Sequence, residues 1–78
     1  DLKDCNWNDS KQTLSGISSV IKNEPYKIII ATNGKTVQSC NSNKGKAAIK
    51  PVDEKNQLVE LTLTSKQNQE VTWKITFN

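Results

Sequence analysis

The chain has 78 residues, which is enough for one domain but close to the lower limit at which a hydrophobic core suffices by itself. It carries eleven lysines, eight acidic residues and neither histidine nor arginine, so its net charge is +3. The lack of histidine removes the commonest general base and metal ligand, and the lack of arginine removes the usual means of reading DNA bases. We therefore predict a single domain over residues 1–78 that is not an enzyme and has no cofactor or metal.

The first third of the chain is predicted to be an irregular segment followed by a helix. Residues 1–8 are polar apart from Leu2 and Trp7. Asp9 or Ser10 could cap a helix over residues 11–23. Its apolar residues have the spacing of one helical face: Leu14, Ile17, Val20 and Ile21. Pro25 would end this helix, because a residue that precedes proline is disfavoured in the α region.

A hairpin is predicted next. Residues 26–32 are rich in β-branched side chains, Asn33 and Gly34 follow them, and residues 35–40 resume an extended pattern. Asn-Gly between two such runs is a strong hairpin signal, because both turn positions need positive φ. This register would place Ile30 opposite Val37.

A loop and a short edge strand are predicted to follow this hairpin. Residues 41–46 have the composition of a loop, and residues 47–49 could form a short strand. Pro51 would confine that strand to a sheet edge or end it. Residues 53–56 then read as a turn.

The strongest pattern is the alternation between Val59 and Phe77. Apolar residues alternate with polar ones at positions 59–64 and again at 71–77, separated by the polar residues 65–69. A period of two indicates strands with one buried face, and the short break predicts that the two strands pair as an antiparallel hairpin. Together these elements predict an α+β fold, with one N-terminal amphipathic helix packed on an antiparallel sheet of four to five strands. A small all-β sandwich is the alternative, and it requires residues 11–23 to be strand or loop.

The two cysteines, Cys5 and Cys40, predict one disulfide. Cysteines are otherwise absent, their number is even and the domain is small enough to need a covalent link. The disulfide and the polar composition favour an extracellular or cell-surface protein. No run of apolar residues is long enough to span a membrane.

Several lysines could form a patch that contacts anions. These are Lys35, Lys44, Lys46 and Lys50, with Trp7 or Tyr26 as a stacking partner. The alternative interpretation is that they are ordinary solvated residues. The acidic pairs Asp53–Glu54 and Asp1–Asp4 lie in polar, turn-like contexts, which favours solvated surface over catalysis.

The second half of the chain resembles the globular heads of type IV pilins. Between Gly45 and Ile75 it reads Gly-Lys-Ala-Ala-Ile-Lys-Pro, then Val-Glu-Leu-Thr-Leu-Thr, then Val-Thr-Trp-Lys-Ile. Such heads pack a helix on an antiparallel sheet and usually carry one disulfide. This chain departs from their pattern, because Lys74 follows Trp73 and no late cysteine is present.

The resemblance implies a non-enzymatic, exported structural subunit of a bacterial pilin-like surface filament, acting by assembly and surface contact. The alternative is a small secreted binding protein stabilised by one disulfide, such as a toxin, an effector or a protein inhibitor. In both cases we expect the partner to be another subunit or a target protein, and we expect no small-molecule substrate. Weak contact with DNA or an anionic surface is possible, and it would depend only on the positive charge of the lysines.

Overall fold

The fold is all-β. A computed structural model describes residues 1–78 and contains seven strands and no helix. The strands are β1 (Leu2–Asn8), β2 (Thr13–Val20), β3 (Tyr26–Ala31), β4 (Val37–Ser42), β5 (Lys46–Asp53), β6 (Leu58–Thr64) and β7 (Gln69–Phe77). They form two antiparallel sheets, with strand orders β1-β2-β7-β4 and β3-β6-β5. The predicted α+β fold is therefore wrong, and the observed class is the all-β alternative.

The two sheets pack face to face around one hydrophobic core. Its fully or nearly fully buried members come from both sheets: Val20, Ile30, Leu61, Leu63, Val71, Trp73, Ile75 and Phe77. The alternation predicted for β6 and β7 is present, because Leu61 and Leu63 on one strand and every second residue of the other are buried. The predicted pairing is wrong, since β6 is the centre of the second sheet and β7 lies in the first. The two apolar faces therefore cover each other across the core.

The predicted hairpin between β3 and β4 is also wrong in its pairing. Asn33 and Gly34 do have positive φ, at 54° and 83°. The strands on either side nevertheless enter different sheets: β3 pairs with β6 and β4 pairs with β7. Ile30 lies opposite Val59, and Val37 lies opposite Phe77, so the predicted contact between Ile30 and Val37 across a ladder does not form.

Strand β2 takes the place of the predicted helix. It pairs with β1 on one side and β7 on the other, and the residues that face the core are Leu14, Gly16, Ser18 and Val20. Gly16 is required there, because a Cβ atom would strike the Trp73 indole and the carbonyl oxygen of Asp4. Ser18 accepts a hydrogen bond from Trp73 Nε1. The helical spacing of the apolar residues was misleading, because half of the true buried face is small or polar.

The structure also changes the predictions for residues 1–8 and for the short strand at residues 47–49. Residues 1–8 are not irregular, because β1 pairs along its length with β2. The short strand predicted at residues 47–49 is part of the longer β5, which pairs only with β6 and so lies at a sheet edge, as Pro51 required. No helix of the structure could span a membrane.

Candidate functional site

Three loops meet at one end of the sandwich and form the candidate site. They are the loops after β2, β4 and β6. Hydrogen bonds join the loop after β2 to the loop after β6, and the loop after β4 to β7. The backbone N–H of Asn23 donates to the backbone carbonyl of Ser65 at 2.9 Å, and the backbone N–H of Lys22 donates to Asn68 Oδ1 at 2.7 Å. Asn43 exchanges two hydrogen bonds with Thr72, both of 2.9 Å. The backbones of the loops are therefore held at defined positions relative to the sheets.

Ser65 organises the loop after β6. Its side chain is nearly buried, and its Oγ donates to the carbonyl of Gln67 at 2.7 Å. The same oxygen accepts hydrogen bonds from the amide of Gln67 at 3.2 Å and from Gln69 Nε2 at 2.7 Å. One hydroxyl group thus closes the turn that contains the exposed Lys66.

Gly45 brings the loop after β4 close to β6. Its φ is +65°, and a Cβ atom at this position would overlap the carbonyl oxygen of Thr64. Only glycine satisfies both conditions without a shift of the backbone. This close approach sets Lys44 and Lys46, on either side of Gly45, beside the loop that carries Lys66.

The result is a cleft of about 810 Å³, which we call the lysine cleft. All of its lining residues are polar or glycine: Asn23, Lys44, Gly45, Lys46, Thr64, Ser65, Lys66, Gln67 and Gln69. None of its three lysines forms an ion pair; the ion pairs of the chain join Lys3 to Asp1, and Lys27 and Lys50 to Glu60. Three uncompensated ammonium groups together with amides and hydroxyls make a surface suited to carboxylates or phosphates.

The predicted anion-contacting patch is only partly assembled. Lys44 and Lys46 share the cleft, whereas Lys35 and Lys50 lie elsewhere. Lys50 is on the outer face of the second sheet, where its Nζ is 3.8 Å from Glu60 Oε1 and Lys27 Nζ is 3.9 Å from the same oxygen. Lys66 was missed because no hairpin between β5 and β6 was predicted. These consecutive strands pair in the structure, so the start of β5 and the end of β6 lie side by side and bring Lys46 and Lys66 to the same end of the sandwich.

Neither predicted stacking partner lines the lysine cleft. Tyr26 is half-buried and packs against the core. Trp7 lies at the other end of the sandwich, where its ring centroid is 5.8 Å from that of Phe77 and 5.7 Å from Lys35 Nζ. The prediction that Trp7 or Tyr26 stacks on a ligand at this patch is therefore not supported by the geometry of the cleft.

The predicted disulfide is absent, since Cys5 and Cys40 are both free thiols. They lie on β1 and β4, the two edge strands of the first sheet. Three strand spacings separate these edges, about 14 Å, whereas bridged cysteines need Cα atoms within roughly 7 Å. Burial raises the pKa of both thiols, and the Asp4 carboxylate raises that of Cys5 further. Neither thiol is activated as a nucleophile.

The carboxylates form no cluster that could hold a metal ion. No group of three or more cysteine, aspartate or glutamate side chains could hold a metal ion. Hydrogen bonds from the side chain and backbone of Asn56, at 2.8 and 3.0 Å, lower the pKa of Asp53. Asp53 is therefore a turn-forming residue that stays ionised, unlike a general acid, whose pKa is raised.

No protein-family model, curated protein or solved structure matches this chain.

Proposed function

We propose that this chain is a non-enzymatic binding domain that holds an acidic segment of a partner protein in the lysine cleft. One observation carries the proposal: Lys44, Lys46 and Lys66 converge on one cleft, and no carboxylate of the chain neutralises them. Unpaired lysines at convergent positions attract anions and orient them. The side-chain amides of Asn23 and Gln67 and the hydroxyl of Thr64, which also line the cleft, can donate further hydrogen bonds to carboxylate oxygens.

A protein partner suits the cleft better than a nucleic acid does. No aromatic side chain lines it, so bases would have nothing to stack on. The chain has no arginine, the residue that reads bases by bidentate hydrogen bonds. Nucleic acid would therefore be held by its phosphates alone, whereas a peptide could use both its carboxylates and its backbone.

The filament-subunit hypothesis has lost two of its supports. It relied on a helix packed on the sheet and on a disulfide, and the structure has neither. The binding-protein alternative also included the disulfide, but it did not require the helix. Its remaining requirement, a scaffold with exposed loops, is compatible with the sandwich. Export stays a prediction from composition.

The test compares the cleft with other lysines of equal charge. A fluorescent peptide of eight glutamates would be titrated with the protein, and its anisotropy measured at several salt concentrations. Three exposed ion pairs at about 0.2–1 kcal/mol each predict that the triple variant K44Q/K46Q/K66Q binds roughly tenfold more weakly. Affinity of the unmodified protein should fall as salt rises.

The matched control is K11Q/K55Q/K74Q, which removes the same charge from exposed lysines that form no ion pair. We expect it to retain affinity within about threefold, since long-range attraction alone is screened. Equal losses in the two variants would show that net charge acts without a site. Tighter binding of a single-stranded thymidine decamer than of the peptide would reassign the cleft to nucleic acid.

A further inference from the structure

A second cavity lies at the opposite end of the sandwich from the lysine cleft. Strand β7 starts beside the cleft at Gln69 and ends at this cavity with Phe77. The cavity has a volume of about 290 Å³, and Leu14, Ile30 and Phe77 form its apolar part. Trp7 and Lys35 also line it, and we call it the Trp7 pocket. It is therefore an apolar site that includes one cation.

The ammonium group of Lys35 is held in place but not neutralised. Its Nζ donates a hydrogen bond of 2.6 Å to Gln12 Oε1. The other end of that amide is anchored, because Gln12 Nε2 donates to the carbonyl oxygen of Asp9 at 2.6 Å. Lys35 forms no ion pair, so its remaining N–H groups have no carboxylate partner in the chain.

Trp7 forms the exposed wall beside this ammonium group. Its ring packs at an interplanar angle of 60° against Phe77, and Lys35 Nζ lies over it. The Asp9 carboxylate is engaged by Trp7 Nε1 and Gln12 Nε2, both at 3.4 Å. Trp7 is nevertheless 43% exposed, so an apolar ligand could still gain contact by covering it.

We propose that the Trp7 pocket binds a small carboxylic acid with an apolar body. The carboxylate would accept hydrogen bonds from Lys35 Nζ, and the body would lie against Leu14, Ile30 and Phe77. The volume of about 290 Å³ lies just below the usual range of ligand sites, about 300–1,000 Å³, which favours a single aromatic ring or a short aliphatic chain. This site is separate from the lysine cleft, and the inference does not depend on the function proposed for that cleft.

The test uses phenylacetate and its neutral analogue phenylacetamide as probes. The two tryptophans supply built-in reporters for NMR titration, because the Trp7 indole borders the pocket whereas Trp73 Nε1 is buried against Ser18 Oγ. We expect phenylacetate to shift the Trp7 indole signal and to bind about tenfold more tightly than phenylacetamide, as a charge-assisted hydrogen bond implies.

The variant K35M should abolish this preference, whereas K11M, which removes an exposed lysine outside the pocket, should preserve it. An unchanged Trp73 indole signal would show that each variant is folded. The proposal is overturned if phenylacetate leaves the Trp7 signal unmoved, if the amide binds equally well, or if folded K35M keeps the preference. Tighter binding of the free-acid tripeptide Ala-Ala-Phe than of phenylacetate would reassign the pocket to the carboxyl terminus of a partner chain.

Discussion

The indole of Trp73 donates a hydrogen bond from Nε1 to Oγ of Ser18 at 3.0 Å, and both side chains are almost completely buried. The bond joins β7 to β2 within the core. It satisfies the one polar atom of the indole, which would otherwise lose its hydrogen bond to water on folding. Ser18, a residue that the sequence pattern did not mark as buried, thus completes the burial of the largest core residue.

Replacing Ser18 with alanine should lower the free energy of unfolding by about 1–3 kcal/mol, because Trp73 Nε1–H would remain buried without an acceptor. Denaturation in urea, followed by tryptophan fluorescence, measures this change. Ser19→Ala is the control, since Ser19 is on the outer face of β2 and its side chain makes no hydrogen bond, and it should cost less than about 0.5 kcal/mol. Equal losses would show that the bond to Trp73 contributes nothing.

Gly16→Ala should destabilise the fold by roughly 1–3 kcal/mol, because the added methyl group would overlap the Trp73 ring and force the core to shift. The double variant Gly16→Ala/Trp73→Phe removes part of the overlapping ring. Its loss in a urea titration should therefore be smaller than the sum of the two single losses. Strict additivity would mean that the two residues do not interfere sterically.

Both cysteines should react with maleimide without prior reduction, and Cys5 should react faster because it is more exposed. Their raised pKa values mean that the folded protein keeps the neutral thiols at a pH where the unfolded chain ionises. The free energy of unfolding should therefore fall as the pH rises above about 8.5, the ordinary value for cysteine. The variant C5S/C40S should show a smaller fall, as measured by urea titrations between pH 7 and 10.

Mass spectrometry of the unreduced protein is the control for the thiol prediction. Two maleimide adducts per chain are expected. An unreduced species that takes up no maleimide would contradict the free thiols and restore the predicted bridge.

Asn56→Ala should raise the pKa of Asp53 towards its ordinary value of 3.8, because it removes the side-chain hydrogen bond to the carboxylate. A carboxylate with a lowered pKa contributes stability that is present above the unfolded-state pKa and is lost as the pH falls through the folded-state value. The stability of the unmodified protein should therefore fall more steeply below pH 4 than that of Asp53→Asn. NMR titration of the Asp53 side chain gives the pKa, and an unchanged value in Asn56→Ala would disprove the assignment.

Which residues alternate could be predicted from the sequence, but which strands pair could not. The period of two at positions 59–64 and 71–77 marks the buried side chains correctly. The period of two is the same in both arrangements: β6 and β7 could pair in one sheet, or they could lie in opposite sheets with their apolar faces in contact. The short loop at residues 65–68 therefore fitted a hairpin and also fits the observed crossing between sheets.

The candidate site was likewise predicted only in part from the sequence. Lys44 and Lys46 are neighbours in the sequence on either side of Gly45, and so could be grouped. Lys66 joins them because β5 pairs with β6. Lys35 is separated from them because it precedes β4 whereas Lys44 follows it, so the length of that strand lies between the two lysines. Grouping lysines by proximity in sequence therefore fails in two ways, because a strand separates Lys35 from Lys44 and a hairpin brings Lys66 to Lys46.

The sequence by itself determined the lysine-only basicity and the buried face of the two last strands, because these depend on composition and on local periodicity. Tertiary structure alone decided that residues 13–20 form a strand, since Gly16 and Ser18 are needed there only to accommodate Trp73, which lies more than fifty positions later. It also decided the separation of the cysteines and the assembly of both cavities. Each of these depends on contacts between remote segments, whose free energy no local pattern records.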